Sequence, residues 1–143
     1  MNLLLQLHLF AVAFWLGVVA VEFLLERSRS QSRAQGLSVA DMHGRIDMLF
    51  ETPAFLVVLI TGLLLLDPGR FSGLYAVKVA AGLIAVLGNI LCVIPVLQRR
   101  AAAESGDLQG VIRLSRQVDF ISVLAIPAGL VALSIGIFLA ITR

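Results

Sequence analysis

Apolar residues fill four stretches of this chain, about 3–25, 46–66, 73–97 and 118–142. Each is long enough to cross a bilayer, which takes roughly 20 residues of helix. The polar positions gather between the stretches, and the connecting segments are short. The pattern predicts an all-α, integral membrane four-helix bundle with antiparallel neighbours, one transmembrane domain over residues 1–143. The first stretch lacks the basic flank and small-residue cleavage site of a signal peptide and is expected to be retained.

Within the pattern lies a repeat. Pro53-Ala54-Phe55-Leu56-Val57-Val58-Leu59-Ile60-Thr61-Gly62 in the second stretch matches Pro127-Ala128-Gly129-Leu130-Val131-Ala132-Leu133-Ser134-Ile135-Gly136 in the fourth as P-A-x-L-V-x-L-x-x-G. Two helical hairpins related as a parallel pseudo-repeat are expected, with a site between them.

Composition agrees with lipid as the main solvent. The chain is 59% hydrophobic and 14% charged, with a mean hydropathy of +1.00, against roughly 45–50% apolar and about 25% charged in soluble domains. A soluble enzyme and a nucleic-acid binder are excluded on this ground. Cys92 is the single cysteine, which rules out an intramolecular disulfide. Arg27, Arg29, Arg33 and Arg45 flank the first connection and Arg99, Arg100, Arg113 and Arg116 the third, while Arg70 and Arg143 are alone at the other end. The basic bias places the first and third loops in the cytoplasm and both termini outside it, in an inner (plasma) membrane.

Ionisable residues inside apolar runs cost several kcal/mol unless paired, so they are where function is sought. His8, Trp15 and Glu22 recur every seven residues and form one stripe along the first helix. Lys78 lies just inside the outer surface on the third helix, with Asn89 eleven residues later on nearly the same face. Two polar layers follow. The outer one holds His8 and Lys78; the inner one gathers Glu22, Arg45, Asp47, Glu51, Asn89, Arg116 and Asp119.

Plain structural accounts stand beside these. Lys78 can snorkel to the headgroups, Trp15 reads first as packing, and His8 and Glu22 can be hydrogen-bonded or solvated. His43, Asp47 and Glu51 have metal-ligand types at i, i+4, i+8, but acids at a helix start are favoured by the dipole, and that account is preferred. Arg45 and Arg116 with Asp47 and Asp119 read as interfacial salt bridges.

His8 with Trp15 and Gly17, Thr52-Pro53-Ala54 with Gly62, Lys78 with Asn89, and Arg116 with Asp119 resemble the four helices of the HemJ-type membrane protoporphyrinogen oxidases, related to CopD-like membrane proteins. The resemblance implies haem b bound in the bundle with His8 on the iron and Trp15 and Asn89 around the cofactor. It further implies catalysis of protoporphyrinogen oxidation with Lys78 as a key residue, and electrons passing to a membrane acceptor. The chain departs from that family in two places. It has Asn89 where the family has a histidine, and Val21-Glu22-Phe23 where the family has Leu-Pro-Arg. Haem here would then need another sixth ligand, a vacant position or a partner in a homo-oligomer.

The independent chemistry is consistent, since imidazole is a good iron ligand and propionates would sit well beside Lys78. The expected partners are therefore the lipid bilayer and a porphyrin or haem. The alternative function is a small transporter or metal- or proton-translocating bundle of the CopD-like type, using the inner acids. A non-catalytic membrane subunit also fits. The four-helix eicosanoid and glutathione-metabolism proteins come last, because Asp47 and Glu51 do not match their Asn and Glu spacing.

Overall fold

The computed structural model describes residues 2–142, so Arg143, counted above for orientation, lies outside the described residues. Four helices there are long and apolar enough to cross a membrane: α1 (Leu3–Arg27), α2 (Arg33–Leu64), α3 (Gly73–Glu104) and α4 (Leu108–Ile141). Their side chains face outward as a lipid solvent requires, with Phe10, Leu64, Phe120 and Leu124 all more than half exposed. This is a multi-pass, all-α membrane bundle.

Local sequence sets the helix starts. Asn2 accepts a hydrogen bond from Leu4 N, Ser32 from Gln35 N and Asp107 from Gly110 N, each satisfying an otherwise orphaned amide. The α3–α4 turn runs through Gly106 at φ +73°, a left-handed conformation that glycine adopts without penalty.

Three helix boundaries differ from the sequence expectation. Helix α2 begins at Arg33 rather than near 46, α3 continues to Glu104 rather than 97, and α4 starts at Leu108 rather than 118. The reason is physical. These extensions are amphipathic, not uniformly apolar: Gly36, Val39, Ala40, His43 and Gly44 form one buried stripe of α2. Ala40 packs on Ala103 and Val111 in a small core of its own. Helix α3, at 32 residues, is about 48 Å long at ~1.5 Å per residue, well beyond a hydrocarbon layer of roughly 30 Å. Arg45 and Arg100 both pair with Asp41 outside this small core.

Helix α2 is not uniform. Asp47–Glu51 form a π-helical turn, in which the Thr52 N–H reaches back to the Asp47 carbonyl. Pro53 follows after Thr52. Proline has no N–H and crowds the carbonyl one turn back, and the wider turn relieves both problems.

Three buried clusters hold the bundle. Trp15, Phe55, Val58, Ala85 and Val86 with Ala11 and Ala54 pack in the middle of the span. Cys92, Val96 and Val118 join α3 to α4. These two helices touch closely at Gly88, where a Cβ would stand 2.7 Å from that of Ala125; small residues let membrane helices approach in this way.

Candidate functional site

The outer polar layer is built by both hairpins in the same manner. Gly62 of α2 leaves room for the His8 ring of α1, whose Cε1 would lie 3.3 Å from a Cβ there. Gly136 of α4 leaves room for Lys78 of α3, whose Cε would lie at the same distance. The glycine closing each sequence repeat thus meets the outer basic residue of its own hairpin. His8 Nδ1 is 2.8 Å from Thr61 Oγ1, and that hydroxyl donates to the Val57 carbonyl at 2.6 Å. A hydroxyl has one proton, so Nδ1 must be the donor to it and Nε2 keeps its lone pair. Lys78 is within electrostatic reach of His8.

Trp15 separates the two layers. It is buried, its ring lies 6.5 Å and 62° from that of Phe55, and its Nε1 donates to Glu51 Oε1 at 3.1 Å. The residues therefore fit an imidazole ligand for iron better than they fit a stacked macrocycle: His8 has the right tautomer, but the indole has no face left uncovered.

The inner layer is the larger assembly. Glu22 on α1 and His43 and Glu51 on α2 are each buried, and one potential ligand atom from each lies within 4.8 Å of the others. The His43 Nε2 to Glu22 Oε2 separation is 3.8 Å, too long for a hydrogen bond and wide enough for an ion between them. Glu22 Oε1 is buried and has no hydrogen-bond partner among the described residues. Beside the cluster is a cavity of about 100 Å³, lined also by Asp47, Asn89, Cys92, Asp119 and Ser122.

The ladder His43, Asp47, Glu51 is brought together by the π turn. In a regular helix, members at i and i+8 diverge by about 80°; the widened turn offsets that drift, and all three are buried. The helix-start account of these acids does not hold, because the helix begins at Arg33, ten residues before His43.

Two residues that the sequence reading used only as flanking charges or passed over organise the site from behind. Arg99 on α3 is fully buried. Its Nη2 and Nη1 donate to the Glu26 carboxylate at 2.5 and 3.1 Å, and Nη1 also donates to Ser115 Oγ at 3.2 Å. Glu26 Oε1 meets His43 Nδ1 in a short contact. Arg99 Nη2 also lies 2.7 Å from that nitrogen, and the two neighbours make opposite demands on it. A proton on Nδ1, held by the Glu26 carboxylate, would leave Nε2 with a lone pair turned toward Glu22 and Glu51. A signal was present in the sequence. Glu26 follows Glu22 by four, and Arg99 follows Asn89, Cys92 and Val96 on one face at i, i+3, i+7, i+10.

The expected interfacial pairs are corrected. Arg45 bonds Asp41, not Asp47, because it lies on the outer face of α2. Asp47 accepts from the Thr52 hydroxyl at 3.0 Å. Asp119 takes two hydrogen bonds from Arg29, at 2.6 and 2.9 Å, which ties the α1–α2 connection to α4 beside the cavity; the carboxylate raises the Arg29 pKa above its ordinary value. Arg116 is exposed and borders an outward apolar groove with Phe120 and Pro95, away from the inner layer. Asn89 does line the inner cavity.

Two carboxylates and one imidazole are ligands of the type that borderline divalent cations such as Zn²⁺, Mn²⁺ and Fe²⁺ accept. No protein-family model, curated protein or solved structure matches this chain.

Proposed function

We propose that this chain is a membrane bundle that binds a divalent transition-metal cation as cargo in its arginine-rich half, through Glu22, His43 and Glu51. The observation that carries the reading is the orphaned Glu22 Oε1, a buried acceptor facing two further ligand groups. An isolated buried carboxylate oxygen is costly, and a bound cation removes the cost. Metal–nitrogen and metal–oxygen bonds of about 2.0–2.2 Å place neighbouring donors roughly 3–3.5 Å apart, so a modest contraction of the present cluster completes a shell.

Each residue has a part. Glu22 and Glu51 supply charge, His43 Nε2 supplies nitrogen, and Glu26 holds the imidazole by its other nitrogen, as carboxylates behind metal-ligating histidines do. Trp15 fixes one oxygen of Glu51 and leaves the other for the ion. Trp15 and Phe55 lie between the site and the outer layer, so exchange runs from the arginine-rich end, which the basic bias places in the cytoplasm of a plasma membrane. Passage across the bilayer would require those two rings to part.

Equilibrium dialysis of detergent-purified protein with Zn²⁺ or Mn²⁺, read by elemental analysis, tests the proposal. Wild type retains stoichiometric metal, while Glu22→Gln and His43→Ala fall to background with helical circular dichroism unchanged. Full retention by both variants would sink it.

One observation favours a second reading, in which His8 ligates haem iron: Thr61 fixes its ring with Nε2 unprotonated. A Soret band in purified wild type that disappears in folded His8→Ala is then expected. A band that persists in full removes His8 from that role.

A further inference from the structure

We infer that the outward groove between the inner halves of α3 and α4 binds one anionic phospholipid, with its phosphate on Arg113 and Arg116 and one acyl chain laid along the groove. The groove has a volume of about 460 Å³, within the roughly 300–1,000 Å³ of ligand clefts. Buried Pro95 and half-buried Ile121 form its floor. Leu91 and Ile94 of α3 and Phe120 of α4 are 61%, 60% and 72% exposed, so they stand out from that floor as walls.

Charge selects the occupant. Arg116 lines the groove, and Arg113 lies three residues before it on the same face of α4. Both are exposed, and neither makes an ion pair among the described residues. The acids near this end of the two helices are engaged elsewhere. Asp119 pairs with Arg29 and Glu104 with Arg100, while Asp107 caps α4 at Gly110 N. Two guanidinium forks one turn apart match phosphate oxygens in bidentate fashion. Gln117, also on the groove, offers an amide beside them.

Depth agrees with this occupant. The apolar run of α4 begins at Val118, so both arginines lie at its edge, where headgroups begin and long stems reach outward. Phe120 is four residues beyond Arg116, about 6 Å deeper at ~1.5 Å per residue. A chain leaving a phosphate at Arg116 therefore enters the apolar layer against Phe120, Ile94 and Leu91. A second copy fits the charge badly. A two-fold axis along the membrane normal would bring the same arginines together at the same depth, where they repel.

The test is native mass spectrometry of detergent-purified full chain, titrated with phosphatidylglycerol or with phosphatidylcholine of the same acyl chains. Phosphatidylglycerol should bind about 30-fold more tightly at one site, the product of roughly fivefold for each arginine. In the double variant Arg113→Gln with Arg116→Gln that preference should disappear while thermal stability stays at the wild-type value. Arg27→Gln with Arg33→Gln removes two charges from the same end of the bundle and should keep the preference. Glycerol 3-phosphate, which has the phosphate but no chain, should not compete. Equal binding of the two lipids by folded wild type overturns the site, as does a preference that survives the loss of Arg113 and Arg116 or falls equally in the other pair. Displacement by glycerol 3-phosphate overturns the lipid assignment. A wild-type dimer that takes up neither lipid also overturns it and gives the groove to a second copy.

Discussion

Arg99→Met is expected to destabilise the bundle by about 3–5 kcal/mol, the usual cost of removing one partner from a buried ion pair. Arg99 has no exposed surface, and among the described residues its guanidinium is the only one that reaches Glu26 from the bundle interior. Methionine fills much of the volume but leaves the Glu26 carboxylate with His43 and the half-exposed Arg29. The serine hydroxyl at position 115 also loses its donor. Adding Glu26→Gln to Arg99→Met should recover much of the loss, because the remaining group is then neutral. Thermal unfolding in detergent, followed by circular dichroism, reads both effects. A single variant that melts with wild type would show that the pair contributes little, and a double variant no better than the single would place the cost in packing.

The second large effect concerns affinity. Glu26→Gln is expected to weaken Zn²⁺ binding by 10–100-fold, the range for lost outer-shell partners of metal ligands. The amide oxygen still accepts from Arg99, so the fold is less perturbed than in Arg99→Met. The carboxylate that holds the His43 Nδ1 proton is gone, however, and the ring is free to turn Nε2–H toward the ion. Glu26→Asp, which restores the charge, should recover part of the affinity. Equal affinities for Glu26→Gln and wild type at equal thermal stability would remove Glu26 from any role in orienting His43.

Much of the architecture is legible in the sequence because lipid makes apolar length a direct signal. The four spans and the repeat closed by Gly62 and Gly136 follow from patterns of a few residues. The ends of α2, α3 and α4 do not, since their extensions bury one stripe while carrying charges on the other faces. The site is half legible for a similar reason. Glu22, His43 and Glu51 stand out singly as polar groups in or beside apolar runs. Their convergence depends on a wider turn that spacing alone does not reveal, and on where α2 really begins. Glu26 and Arg99 are harder to see, because at the edges of spans they look like ordinary topology charges. Only burial distinguishes Arg99 from its exposed neighbours.

The extra residue accommodated by the π turn has a consequence for how the two hairpins compare. Helix α2 has its Asp47–Glu51 π turn one residue before Pro53, whereas α4 runs α-helically through the equivalent Pro127. One inserted residue equals about 100° of rotation in a helix. Upstream of the prolines the hairpins are therefore out of phase by one position, and an ungapped alignment sets inward residues of one against lateral residues of the other. The outer ends of these two helices, from Pro53 and Pro127 onward, therefore present matching residues on matching faces, while their inner ends, where the acids and His43 lie, turn different faces toward the interior.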